Sequence, residues 1–262
     1  MCKWIIPAIL LIAGSPASAQ SYNIEFGATG TAPPDSYGAA GQAGVWNTFE
    51  VLPSGVTFPL VNTDGLSAGA TIRNIGGTQL LASDDPATRG DDALLMDDML
   101  IGFNDPVDVC IFMNGFPNGR YVVLIYAMTP NDSDLLSRTR VDFADQGPAF
   151  IGGAWPGGYQ IGITHSRHTI NVTNGRIDLH SGEFGALVQS GINGIQIRPI
   201  PPADINEDGT VDGLDLGVLL ANWSIPAGSP GCGGAAPCAS DLNADGVVDG
   251  LDLGVLLAGW TL

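Results

Sequence analysis

Asp204-Ile-Asn-Glu-Asp-Gly-Thr-Val-Asp-Gly-Leu-Asp-Leu-Gly-Val-Leu-Leu-Ala-Asn-Trp223 recurs almost unchanged as Asp241-Leu-Asn-Ala-Asp-Gly-Val-Val-Asp-Gly-Leu-Asp-Leu-Gly-Val-Leu-Leu-Ala-Gly-Trp260. The copies start 37 residues apart and differ only at Ile205/Leu242, Glu207/Ala244, Thr210/Val247 and Asn222/Gly259. This end of the chain is therefore an internal duplication. Each copy spaces oxygen-bearing side chains as a hard cation requires, and calcium takes six to eight oxygens. Asp204, Asn206 and Asp208 occupy loop positions one, three and five, as do Asp241, Asn243 and Asp245 in the second copy. Position seven offers a backbone carbonyl, from Thr210 or Val247, and position nine, Asp212 or Asp249, acts through a water. Asp215 and Asp252 close the shell at position twelve. Gly209 and Gly246 supply the sharp turn that aims these oxygens inward. Two loops predict two calcium ions.

Position twelve is usually Glu in an EF-hand. Asp there, with one helix following the loop, resembles the dockerin type I repeat. Leu219 and Leu256 match the helix leucine of that family, and Trp223 and Trp260 fall where a second large apolar residue is expected. The resemblance implies a small all-α module at 204–262, with helices over Leu216–Trp223 and Leu253–Trp260, that docks to a cohesin-like or cell-surface protein. Two features depart from it. Leu220-Ala221 and Leu257-Ala258 stand where cohesin-binding dockerins often carry Lys or Arg, and no basic residue follows Arg198. Cys232 and Cys238 lie between the repeats.

Residues 1–19 read as a secretory leader: Lys3, an apolar run from Trp4 to Ala13, then Ala17-Ser18-Ala19 as a cleavage site. The run is too short to span a bilayer, and no later stretch is long and apolar enough. The expected location is extracellular or on a bacterial cell surface. Export places the close pair Cys232 and Cys238 in an oxidising compartment, where a disulfide is expected. Cys110, inside the strand-like run Val107 to Met113, reads as a buried small hydrophobe. Without Lys3, eight arginines face 27 acidic residues. Such a surface repels nucleic acid and anionic lipid and excludes both as partners.

Upstream of the repeats, short strand-like runs alternate with turn residues and no sustained helical period occurs. The expected class is mainly β: a jelly-roll-like β-sandwich over 20–198, a Pro-rich linker at 199–203, then the calcium module. Tyr121 to Met128, apolar throughout, reads as a strand buried on both faces. Arg138 to Phe143 alternates, with Thr139, Val141 and Phe143 on one side. Asn174-Gly175 predicts a hairpin pairing Val172 with Ile177 and Ile170 with Leu179. Gly194 to Ile200 reads as the closing strand with Ile195 and Ile197 inward. Asp84, Asp85, Asp91, Asp92, Asp97 and Asp98 surround Ala93 to Met96, a short helix with acidic residues at its N-terminus. Tyr22 to Phe26, Gly119 to Tyr126 and Ile192 to Ile197 resemble strands of galactose-binding-like β-sandwiches. That resemblance implies a non-catalytic module that binds glycan or protein.

Catalytic patterns are absent. There is no Gly-x-Ser-x-Gly, no His-Glu-x-x-His and, beyond Lys3, no lysine. His165 and His168 read as surface or edge histidines on opposite strand faces. Trp155-Pro-Gly-Gly-Tyr159 could present two rings to a sugar, although core packing is an equal reading for Trp46 and Trp155. The competing expectation is a polysaccharide-degrading hydrolase or lyase with its carboxylates in the sandwich.

Overall fold

A computed structural model of the chain describes residues 20–28, 30, 32–76, 78–82, 86–102, 108–128, 136–182, 191–225 and 238–261. The leader, Asp84, Asp85, Val107 and Cys232 lie outside the described residues. The strands are β1 Tyr22–Glu25, β2 Trp46–Thr48, β3 Thr57–Val61, β4 Ser67–Ile75, β5 Thr78–Ala82, β6 Asp98–Gly102, β7 Val109–Asn114, β8 Gly119–Tyr126, β9 Leu136–Val141, β10 Ala149–Gly152, β11 His165–Val172, β12 Arg176–Ser181, β13 Gly191–Ile192 and β14 Gly194–Pro199. The helices are α1 Asp91–Met96, α2 Gly213–Ala221 and α3 Gly250–Ala258.

The protein is mainly β. A five-stranded sheet, β11-β8-β14-β1-β2, faces a six-stranded sheet, β10-β9-β12-β7-β4-β3, and a small sheet, β13-β6-β5, adds Leu100 and Ile192 to their shared core. The first sheet contributes Tyr22, Ile24, Tyr121, Val123, Ile125, Ile170, Val172, Ile195 and Ile197 to the main core. The second contributes Ile72, Ile111, Met113, Val141, Ile177 and Leu179. Two inner faces that interdigitate in this way make a β-sandwich. Ile195 and Ile197 point inward as expected, but β14 lies between β1 and β8 inside its sheet.

β8 explains its unbroken apolar run. Tyr121, Val123 and Ile125 enter the main core, while Val122, Leu124 and Tyr126 enter a second cluster on the outer face of the same sheet. That cluster also holds Trp46, Leu95, Met96 and Met128, with Tyr37, Trp155 and Tyr159 packed against it. α1 forms with Asp91 and Asp92 in its first turn and delivers Leu95 and Met96 to this layer. Both tryptophans therefore serve packing: Trp46 is buried and Trp155 half-buried.

Three local expectations are corrected. Asn174-Gly175 does not close a paired hairpin: β11 pairs with β8, whereas β12 pairs with β7 and β9 in the opposite sheet. Val172, Ile170, Ile177 and Leu179 share one core because the two strands face each other across the sandwich. Alternation on both arms of a turn fits either arrangement. Gly175 takes a φ of 72°, and its carbonyl accepts from Gly115 and Phe116 on the six-stranded side. Phe143 is also misplaced: β9 ends at Val141, and Phe143 turns outward at φ 63° and is 94% exposed. Finally, His165 and His168 sit on the edge strand β11 but are buried. The covering loop shields His165 against Tyr126 and Tyr159, and His168 points inward beside Ser166.

Candidate calcium module and its contact with the sandwich

α2 and α3 begin three residues earlier than the apolar run suggests and end at Ala221 and Ala258. The cause is a capping box in each repeat. Asp212 accepts from Leu214 N at 2.7 Å, and Asp215 accepts from Asp212 N at 2.9 Å. Asp249 and Asp252 repeat this at 2.8 Å in both bonds. Two orphan donors at each helix start are thereby satisfied. The spacing Asp-x-x-Asp was the available signal.

The same carboxylates close the loops. Asp215 Oδ1 accepts from Ile205 N at 2.7 Å and Asn206 N at 3.0 Å, and Asp252 Oδ1 accepts from Asn243 N at 3.1 Å. Both aspartates are fully buried. Asp204 accepts from Asp208 N and Gly209 N at 3.1 and 2.8 Å. Asp241 accepts from Asp245 N and Gly246 N at 3.1 and 3.0 Å. Asn206 Nδ2 donates to Asp208 Oδ2 at 2.8 Å, and Asn243 Nδ2 to Asp245 Oδ2 at 2.9 Å. The Asp208 and Asp245 carboxylates also accept from Thr210 N and Val247 N. Hydrogen bonds thus link the side chains of positions one, three and five to backbone amides of the same loop, the position-seven amide included, and join positions nine and twelve to each other. Gly209 and Gly246 take φ values of 104° and 97°, which suit glycine. Burial and the Asp215 charge push the Asp204 carboxyl up, against the pull of the Gly209 amide and Arg198. The donor set is all oxygen and mostly carboxylate, which fits calcium.

The two repeats brace each other. Val211 N donates to Thr261 Oγ1 at 2.9 Å and Thr261 N to Val211 O at 3.0 Å. In mirror fashion, Ser224 N donates to Val248 O at 2.8 Å and Val248 N to Ile225 O at 3.4 Å. Position eight of each loop is thus bonded to the chain just after the other repeat's helix. Leu219 and Leu256 are buried in the shared core with Ala203, Val211, Cys238 and Val248, and Trp260 packs on it. Trp223 remains 39% exposed. Leu214, Val218, Leu220, Leu251 and Leu257 also face solvent.

A set of residues missed in the sequence joins this module to the sandwich. Glu207, at φ 61° in the first loop, forms ion pairs with Arg120 at 2.6 Å and Arg167 at 3.1 Å and bonds Thr169 Oγ1 at 3.3 Å. Arg167 and Arg198 both donate to the Glu207 carbonyl, at 3.0 and 2.8 Å. Burial opposes ionisation of Glu207, yet the two arginines and the hydrogen bonds outweigh it and hold the carboxyl below its usual range. Arg198 Nη1 sits 4.0 Å from Asp204 Oδ2, and a Cβ at Gly209 would collide with it. Ala244 takes the equivalent place in the second loop at φ 59°. Glu207/Ala244 is one of the four differences between the copies, which was the signal available. Ile200, expected in a bare linker, is buried in the outer cluster, and its amide donates to Arg120 O at 2.8 Å.

His165 and His168 are held neutral, both pushed down to about 4 by burial. Glu25 on β1 is pushed up to about 8, by burial first and then by Asp98, but it is fully buried and out of reach of a polymer. Among the described residues no helix is long and apolar enough to cross a membrane.

Residues 202–257 match the family model of the dockerin type I domain. The C-terminal module is a dockerin type I domain carried behind a β-sandwich. No curated protein matches the chain. Among solved structures, protein YXIM from Bacillus subtilis is similar at 14% identity and TM-score 0.40, over 69% of this chain and 40% of that one. A Bacteroides uniformis β-glucuronidase matches at 10% identity and TM-score 0.38, over 69% of this chain and 18% of that one. An exo-β-1,3-galactanase from Phanerochaete chrysosporium matches at 16% identity and TM-score 0.30, over 56% and 34%. The chain spans less than half the length of each of these structures. At such TM-scores the likeness carries neither an activity nor a substrate.

Proposed function

We propose that this is an exported protein whose dockerin module binds two calcium ions and docks a non-catalytic β-sandwich to a cohesin-like or cell-surface partner. The first ion takes Asp204, Asn206, Asp208, Thr210 O, Asp212 and Asp215. The second takes Asp241, Asn243, Asp245, Val247 O, Asp249 and Asp252. The observation that supports the reading is the buried position-twelve aspartate in each repeat, which both completes the helix capping box and accepts from amides at the start of its loop. Loop closure and helix formation are one event, so metal binding supplies folding free energy. The exposed leucines of α2 and α3, with no basic residue beside them, support an apolar docking face. The sandwich would bind glycan or protein. A Cys232–Cys238 bridge would tie the segment between the repeats.

The test is calcium-dependent binding of the full chain to cohesin domains, alongside sugar-release assays on a polysaccharide panel. Binding abolished by chelator, and by Asp215→Ala with Asp252→Ala, is expected. Chelator-insensitive binding, or sugar release above a heat-killed control, would overturn the reading.

A further inference from the structure

Cys110 is a free, buried cysteine on β7. Val109, Ile111 and Met113 of β7 enter the main core, so Cys110 lies on the other face of its sheet. The neighbouring strand β12 sends Ile177 and Leu179 inward and His180 to that same outer face. Cys110 and His180 are direct cross-strand partners, which sets their Cβ atoms about 5 Å apart. Asp108 joins them from two residues upstream. One ligand atom of each residue lies within 4.8 Å of the others. The three residues are only 4%, 8% and 9% exposed for Asp108, Cys110 and His180.

The histidine is buttressed as metal ligands are. His180 Nε2 lies 3.3 Å from Asp142 Oδ2, and the other oxygen of Asp142 is held by Arg140 at 3.0 Å. The Phe112 ring meets the imidazole edge-on at 6.3 Å. A carboxylate behind a histidine fixes ring orientation in such sites. Cys110 is a free cysteine, and burial, with the Asp108 charge, pushes its thiol up to about 11.

We propose that Asp108, Cys110 and His180 form a second metal site, distinct in chemistry from the calcium loops, that takes a borderline divalent cation of the zinc type. A sulfur, nitrogen and oxygen donor set suits zinc and is foreign to calcium. Zinc–ligand bonds of about 2.0–2.3 Å place tetrahedral ligand atoms about 3.5 Å apart. The observed spacing reaches that with small side-chain rotations on two hydrogen-bonded strands. Three protein ligands leave the fourth position for water or a ligand donor. Binding releases the thiol proton to solvent as the sulfur–metal bond forms.

The experiment uses the full chain in saturating calcium, which keeps the C-terminal loops filled, titrated with Co²⁺ and then Zn²⁺. One Co²⁺ per chain with a near-ultraviolet thiolate-to-cobalt absorption is expected, displaced by one Zn²⁺. Cys110→Ser and His180→Gln should abolish the band, Asp142→Asn should weaken binding about 10–100-fold, and Cys238→Ser should leave the band in place. Should the ligand variants fail to fold, the wild type decides: one equivalent of Zn²⁺ should slow alkylation of Cys110 by at least about tenfold. Absence of the band, its persistence in Cys110→Ser, its loss in Cys238→Ser, or an alkylation rate indifferent to zinc overturns the site.

Discussion

Replacing Glu207 by Ala should loosen the dockerin module from the sandwich while leaving both folded. The repeat itself supplies the control. Ala244 occupies the equivalent loop position at φ 59°, against 61° for Glu207, so Ala adds no backbone strain there. What disappears is the carboxylate that Arg120, Arg167 and Thr169 share. Arg120 is 46% exposed, so its pair counts for a fraction of a kcal/mol. The Arg167 pair is more enclosed, at 26% and 20% exposure, and adds about 1 kcal/mol as a charged hydrogen bond. The bonds from Arg167 and Arg198 to the Glu207 carbonyl survive the change. The loss is therefore about 1.5 kcal/mol, roughly a tenfold weaker docking equilibrium. Calorimetric scans of the full chain, with calcium and with chelator, measure it. Calcium should raise the melting temperature of the wild-type sandwich, because the closed module braces it. In Glu207→Ala that increment should shrink by about 3–6 °C. Salt should shrink the wild-type increment as well. Acid should act in the same direction: the folded carboxyl is depressed, so its contribution is complete above about 4.5 and is lost as pH falls through the lower folded value. A calcium increment in Glu207→Ala equal to wild type would refute the bridge.

His165 and His168 are buried neutral, so the unfolded chain takes up protons that the native one refuses between about 6.5 and 4. Stability should fall by about 2 kcal/mol per histidine on going from neutral pH to pH 5; a His165 or His168 imidazole titrating near 6.5 by NMR would contradict this. Cys232 and Cys238 should resist alkylation under native conditions and be joined in the peptide map, whereas labelling of both would remove the bridge. Residues 20–200 should release no sugar from any polysaccharide in a hydrolase and lyase screen, and reproducible release would restore the enzyme reading.

Much of the fold was legible where residue pattern and environment coincide. β8 is apolar on both faces because a second layer covers the outer face of its sheet, and the repeats announced their loops by oxygen spacing alone. The 174–175 turn was not legible in full. Alternating strands on either side of Asn-Gly look the same whether they pair or face each other across a core, and only the partners β7 and β8 decide. His165 and His168 misled because an edge strand can still be covered on both faces: His168 turns to the sandwich interior, and Tyr159 of the preceding loop packs on His165. Glu207 was visible as a difference between copies, but its partners Arg120, Arg167 and Arg198 come from three separate strands. The Asp108–Cys110–His180 group has the same character: the i, i+2 spacing is local, and the histidine arrives only through the register of β7 and β12.

The most direct test of the calcium account is a titration of the full chain followed by calorimetry and far-ultraviolet circular dichroism. Two ions per chain are expected, one in each of Asp215→Ala and Asp252→Ala, with loss of the α2 and α3 helical signal in excess chelator. A helical signal and melting profile unchanged by chelator, or no calcium bound, would contradict it.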